Sequence, residues 1–230
     1  MISITKEFDE LLGGGLQPGS ITHIYGPPAS GKTNIALIAT VNASKDGKVI
    51  YVDPEGGFSV ERLKQIAGEK INDVLKNVLL IEPVSFDEQK VALRKLDEII
   101  SSNTVSLVVV DSIAMLYRLE EERDVKEFGR LLAQLLRIAR RYTIPVLMTN
   151  QVYTDIDTNK QVPIGGDLTK YWAKIMIEVE NEQGHRYAVL KKHKFLPSGK
   201  KLEFKIVHRG IEVIRIPSRQ QSPQSSGARP

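Results

Sequence analysis

The residues with the clearest chemical potential lie in the stretch HIYGPPASGKT, residues 23 to 33. Gly26, Gly31, Lys32 and Thr33 fill the fixed positions of the pattern G-x-x-x-x-G-K-T, and the apolar run Ile21 to Tyr25 precedes them. That is the strand-before, helix-after setting of a phosphate-binding loop. The segment Gly26, Pro27, Pro28, Ala29, Ser30, Gly31, Lys32 and Thr33 would curl around a triphosphate, with backbone N–H groups and the helix N-terminus supplying positive potential. Lys32 would reach the β- and γ-phosphates and the Thr33 hydroxyl would ligate Mg²⁺. The plain alternative, a glycine-rich turn with an exposed lysine, requires every fixed position to match by accident.

Three further groups sit where such a loop needs them. Asp111 ends the apolar run SLVVVD, and a carboxylate at the end of a buried strand can hold Mg²⁺ through water, or else cap a helix. Glu55, in VIYVDPEGGF, is a candidate general base for the attacking water, a role worth about a hundred- to ten-thousand-fold in rate. It could equally be a turn residue. Asp53 in the same stretch reads as a brace for that turn. Gln151, after VLMTN, carries an amide that could sense a γ-phosphate, so that the following segment orders or relaxes with hydrolysis.

Elements must bring these groups together. SITHIY, KVIYVD, NVLLIE, SLVVVD and IPVLMTN are continuously apolar, as strands of a parallel sheet buried on both faces are. Helical patterns lie between them. The clearest is KEFGRLLAQLLRIARR, where Phe128, Leu131, Leu132, Leu135, Leu136 and Ala139 recur at helical spacing and belong to the core. After Gly166 the pattern changes to short alternating strands, AKIMIEVE, HRYAVLKKHK, KLEFKIV and IEVIRI, joined at Gln183-Gly184, Pro197-Ser198-Gly199 and Arg209-Gly210. The expected fold class is α/β, a P-loop NTPase core whose mostly parallel central sheet is flanked by helices and carries a C-terminal antiparallel extension. Residues 1–216 are expected to form one domain, and the tail 217–230, PSRQQSPQSSGARP, rich in Pro, Ser and Gln, reads as disordered. The stretch YTDIDTNKQVPIGGDLTKYW is long and polar with a Gly-Gly hinge, which suggests a functional loop.

Composition bounds the function. The absence of cysteine excludes disulfides, thiolate catalysis and cysteine-ligated metals. No apolar run is long enough for a membrane span and the start lacks a signal-peptide core, so a cytoplasmic protein with no membrane partner is expected. A net charge of +4 permits nucleic acid as a partner without demanding it.

Taken in order, LLGGGLQPGSITHIYGPPASGKT, YVDPEGGFSVERL, LVVVDSIAMLYR, VLMTNQV and PIGGDLTKYWA resemble the recombinase family of RecA and its archaeal and eukaryotic relatives over nearly the whole chain. Within that family the chain is most similar to the archaeal RadB paralogues, because it begins almost directly at the ATPase core, without the helical DNA-binding domain or subunit-linking segment of RadA, and its central loops look shortened. The resemblance implies ATP and Mg²⁺ as cofactors. It assigns phosphate and Mg²⁺ to Lys32 and Thr33, the Mg²⁺ water to Asp111, the attacking water to Glu55 and the γ-phosphate to Gln151. Arg62 matches the family arginine that packs against adenine; an exposed helix arginine is the alternative.

The family's two DNA-facing loops correspond to residues around 116 to 127 and 153 to 168. The first keeps Arg118 but crowds Glu120, Glu121, Glu122 and Asp124 where a phosphate backbone would lie, which fits a solvated helix start as well as any DNA contact. The second offers Tyr153 for stacking, with Lys160 and Lys170. Basic residues gather afterwards at Lys191, Lys192, His193, Lys194, Lys200, Lys201 and Lys205, as a DNA contact or a solvated strand face. Lys192 and Lys194 also resemble a lysine pair with which bacterial RecA reaches a neighbour's γ-phosphate, since alternate strand residues share a face.

Two functions follow from the resemblance. One is a weak ATPase that binds single-stranded or branched DNA, does not exchange strands, and regulates the RadA recombinase or a Holliday-junction resolvase in recombinational repair. The other is a filament-forming, DNA-dependent ATPase that exchanges strands itself. Either allows a homo-oligomer. A P-loop nucleotide kinase is disfavoured, because no arginine-rich lid follows the sheet.

Overall fold

A computed structural model describes residues 1–156 and 161–215. Lys160 and the tail from 216 onward, which includes the segment expected to be disordered, lie outside the described residues. Nine strands form one sheet. They are β1 (Ile21–Tyr25), β2 (Lys48–Val52), β3 (Val78–Ile81), β4 (Val105–Val110), β5 (Val146–Asn150), β8 (Ile175–Glu182), β9 (His185–Lys192), β10 (Lys201–Val207) and β11 (Gly210–Arg215), with β6 (Val152–Thr154) and β7 (Gln161–Pro163) paired separately. The order across the sheet is β11-β10-β9-β8-β1-β5-β4-β2-β3. From β8 to β3 every pairing is parallel, and from β8 to β11 every pairing is antiparallel. β8 is therefore the seam between the two regimes.

The parallel strands are apolar on both faces because helices cover both. Ile24, Leu107 and Val109 face one core together with α1 (Lys6–Leu12), α2 (Lys32–Ala43) and α3 (Val60–Ala67). Ile21, Tyr25, Val108 and Val110 face the other, against α5 (Phe86–Arg94), α6 (Leu96–Ser101), α7 (Met115–Leu119) and α8 (Val125–Tyr142). A short α4 (Ile71–Lys76) precedes β3. All six apolar residues that mark α8 in the sequence are buried. Of the acidic run before it, Asp124 caps α8 by accepting from the backbone N–H groups of Lys126 (2.7 Å) and Glu127 (3.2 Å), while Glu120, Glu121 and Glu122 lie in the link between α7 and α8.

The antiparallel strands alternate. Val179, Ala188, Leu190, Leu202 and Phe204 enter the α1/α2 core, while Glu180, Tyr187 and Glu203 stand in register on the opposite face. The β8–β9 turn has both central residues in the left-handed region, Gln183 at φ 51° and Gly184 at φ 88°, as a two-residue hairpin requires. The segment expected to be an irregular loop is more ordered than its composition suggests. Tyr153 pairs with Val162 across the β6–β7 hairpin, and residues from Gly166 form α9 (Gly166–Trp172). Its base is pinned to β5: Asn150 Nδ2 donates to Ile164 O (2.7 Å), and Ile164 N donates to Gln151 O (3.1 Å). No helix among the described residues is long and apolar enough to cross a membrane.

Candidate functional site

The site lies at the C-terminal ends of the parallel strands, where β1 passes into α2. Gly26 follows β1 so closely against β8 that a Cβ there would stand 2.2 Å from Val179 O. Gly31 begins α2 at φ 108°, in the left-handed region, with Phe204 and Ile206 of β10 at 3.4 Å from where a Cβ would be. These two glycines let the loop lie flat across the strand ends. The N-terminus of α2 opens onto it. Ser30 Oγ is buried there without a hydrogen-bond partner, a polar atom aimed into the loop. Lys32 turns back over the loop and donates to Gly26 O (2.9 Å) and Pro27 O (2.8 Å). Burial lowers the basicity of its ammonium, and the carboxylates of Asp111 and Glu55 oppose that shift.

Asp111 is buried beneath Lys32 and meets three hydroxyls. It accepts from Tyr51 Oη (2.7 Å) and from Thr149 and Thr33. Burial raises its affinity for a proton, and the three hydroxyl bonds counter that effect. Thr33 and Asp111 are thus adjacent oxygen donors, hydroxyl and carboxylate, the chemistry that suits a hard divalent cation. Tyr51 and Thr149 were not legible as site residues. Burial holds the Tyr51 phenol far above its ordinary pKa, so it remains a donor to Asp111.

Glu55 and Gln151, 96 positions apart, meet: Gln151 Nε2 donates to Glu55 Oε1 at 2.7 Å. Behind them Arg118 Nη1 donates to Gln151 Oε1 at 3.3 Å. An arginine read as a DNA contact is therefore joined through one amide to the candidate base. Asp53 is buried and braces the turn that presents Glu55, accepting from the backbone N–H groups of Glu55 (3.3 Å), Gly57 (3.1 Å) and Phe58 (2.7 Å). Arg62 lies beside α2, where Nε donates to Asn34 Oδ1 at 2.6 Å. Its terminal nitrogens are directed to backbone carbonyls of the β10–β11 turn.

The cations read as DNA contacts do not form one free face. Lys170 pairs with Asp167 at 3.0 Å, Lys191 with Glu178 at 2.7 Å, Lys201 with Glu180 at 3.1 Å and Lys205 with Glu212 at 3.1 Å. Lys201 also sits 3.7 Å from the centre of the Tyr187 ring. Tyr153 is half exposed on β6. The expected convergence of Lys192 and Lys194 is corrected by the strand's length. β9 ends at Lys192, whose ammonium donates to Lys170 O (2.5 Å) and Ala173 O (2.9 Å) at the C-terminal end of α9. The chain then turns on His193, whose Nδ1 accepts from the backbone N–H groups of Phe195 (3.3 Å) and Leu196 (3.2 Å) while Nε2 donates to Leu12 O (3.0 Å). Lys194 is left exposed beyond the strand, so the two lysines do not share a strand face.

Known proteins match this arrangement over most of its length. A family model described as Rad51 matches residues 1–214. A "DNA repair and recombination protein RadB" of Methanosphaera stadtmanae is 43% identical over 220 residues, covering 92% of this chain and 95% of that protein. A protein of the same name from Methanobrevibacter smithii is 44% identical over 221 residues, covering 91% and 94%. A solved structure described as the crystal structure of the RadB recombinase superposes with a TM-score of 0.82 at 42% identity, covering 94% of this chain and 100% of that one. Sequence, sheet order and phosphate loop agree: the chain belongs to the Rad51 family, on its RadB branch, and has the RecA-like fold.

Proposed function

We propose that the chain binds Mg²⁺–ATP in the loop Gly26 to Thr33, hydrolyses it slowly, binds DNA, and serves recombination and repair as a regulator of a strand-exchanging recombinase or of a junction-cutting enzyme. Lys32 and the N-terminus of α2 would take the phosphates, and Thr33 with Asp111 would hold Mg²⁺, which would supply neutralisation of phosphate charge. Lys32 must leave the carbonyls of Gly26 and Pro27 to do so. Glu55 orients and deprotonates the attacking water. Names of the curated relatives support the role in recombination and repair.

Slow turnover rests on the Gln151–Glu55 hydrogen bond of 2.7 Å, because a carboxylate that already accepts from an amide is a poorer base until that amide is drawn away. The paired lysines and the acids before α8 favour modest DNA affinity. The cytoplasm is the setting we infer.

Measuring ATP turnover and strand exchange side by side, with and without single-stranded DNA, tests this reading. We expect slow turnover, bound DNA and no exchanged strands; exchange coupled to DNA-stimulated turnover would establish the filament-forming ATPase instead. Glu55→Gln should retain ATP binding and lose turnover by about a hundredfold or more. Equal turnover in the variant would make Glu55 a turn residue.

A further inference from the structure

Lys192 differs from the lysines around it in what it meets. Lys170, Lys191, Lys201 and Lys205 each pair with a carboxylate, whereas the Lys192 ammonium donates to two backbone carbonyls, Lys170 O (2.5 Å) and Ala173 O (2.9 Å). An ammonium has three N–H groups, so most of its donors are engaged. Burial, and after it the ammonium of Lys174, lower its basicity, and the carbonyl dipoles at the helix end are the groups that favour its charge there.

Those carbonyls close α9, a helix that cannot hold itself. Its seven residues fall well short of the roughly 12–15 at which an isolated helix becomes even marginal in water. Its start is held by α8: at Gly165, φ 84°, a Cβ would stand 2.4 Å from Phe128 Cε1, and Leu168 lies against Gly129. The one buried residue of the helix, Thr169, turns its hydroxyl back onto Gly166 O (2.8 Å). Beyond it Lys170 and Tyr171 face solvent, Trp172 packs partly buried on the α5–α8 core, and the side chain that closes the end is Lys192.

What α9 steadies is the β6–β7 hairpin. Gly165 alone separates the helix from Ile164, which Asn150 holds at the end of β5, and Pro163 and Val162 of β7 pair with Val152 and Tyr153 of β6. Tyr153 stands half exposed on that hairpin. A shift of α9 therefore reaches the ring through a short, continuous backbone path. We propose that Lys192 is a positioning residue for single-stranded DNA: it locks the end of α9 to the end of β9, and through α9 it fixes the hairpin on which Tyr153 meets a base, without itself touching a phosphate. This rests on the reading of the chain as a DNA-binding protein with Tyr153 in the contact.

The test uses the full chain and its Lys192→Ala variant. Emission of Trp172, the chain's single tryptophan, and amide hydrogen exchange of residues 166–173 report on α9 without DNA, while fluorescence anisotropy of a labelled thymidine oligonucleotide over a salt series reports on binding. In the variant the emission should move to longer wavelength, exchange in α9 should quicken about tenfold, and DNA affinity should fall about fivefold or more at an unchanged salt slope. In a Tyr153→Ala background the same substitution should cost no further affinity, because the lysine acts through that ring. A slope shallower by about 0.7, as for one lost phosphate contact, would make Lys192 a DNA ligand and overturn the proposal. So would an equal loss of affinity in the Tyr153→Ala background, or emission and exchange that match the parent's. A parent that leaves the oligonucleotide free overturns the DNA-binding reading and this proposal with it; a parent that binds while α9 fails to respond to the substitution overturns the role of Lys192 alone.

Discussion

Asp111 shows how much a single side chain's behaviour depends on partners the motif does not name. Three hydroxyls hold its carboxylate, and the one from Tyr51 comes from a fully buried phenol on β2. Removing that hydroxyl should weaken the Mg²⁺ site without breaking the fold. Tyr51→Phe is expected to cost about 1–2 kcal/mol of stability and to raise severalfold the Mg²⁺ concentration that half-saturates ATP binding, read by calorimetry; an unchanged Mg²⁺ requirement would assign Tyr51 to packing alone. Lys32, Thr33 and Asp111 were legible because their chemistry is written in local spacing and at strand ends. Tyr51 was not, since an aromatic in an apolar strand looks like core. Arg62 could be matched to a family position, yet its grip on the turn at 207–210 joins residues that no local pattern connects. Lys192 was misread for the opposite reason: alternation implies a shared face only while the strand lasts, and β9 stops there.

At the scale of elements, β1 carries an unusual burden. His23 stands fully buried in its middle, between Met148 of β5 and Met176 of β8, and neither ring nitrogen has a partner. Burial lowers its pKa from 6.5 to about 3. The unfolded chain therefore takes up a proton below pH 6.5 that the folded chain refuses, so stability is full above that pH and falls as the pH drops toward 3. The loss is about 1.4 kcal/mol per pH unit across that window. His23→Met should remove this component, which denaturant unfolding at pH 7.5 and pH 5 would reveal as a shallower acid loss; parallel losses in parent and variant would place the acid sensitivity elsewhere. The parallel strands were readable from their unbroken apolar runs, and the antiparallel ones from alternation and turns. The β6–β7 hairpin and α9 were not, because three-residue strands and a seven-residue helix are shorter than the repeats that would announce them.

Across the whole molecule, charge is balanced more locally than the net +4 suggests. The outer face of the antiparallel strands alternates lysine with glutamate, and of the basic residues read as DNA contacts that the structure describes, Arg118, Lys194 and Lys200 are exposed without a paired carboxylate. Few phosphates can then be neutralised at once. Binding to single-stranded DNA should weaken with salt at a log–log slope of about −2, as for three phosphate contacts, with little dependence on sequence. Tyr153→Ala should lower affinity by about 1–3 kcal/mol if a base stacks on that ring. A slope near −7, measured by fluorescence anisotropy over a salt series, would mean that the ion pairs on the sheet open to receive DNA.

The position of β1 also governs how the chain is made. It is synthesised first among the strands but lies between β5 and β8, so Ile21 must wait for Val146, roughly 125 residues later, and at ribosomal rates of about 5–20 residues per second that is roughly 6 to 25 s. β2, β3 and β4 pair only with one another and with β5, and can assemble meanwhile as a three-stranded sheet. The phosphate loop leaves the ribosome near the beginning and is completed near the end. During that interval Ile21, Ile24 and Tyr25 of β1 stay without their sheet neighbours, which makes the nascent chain dependent on whatever shields them before the nucleotide site exists.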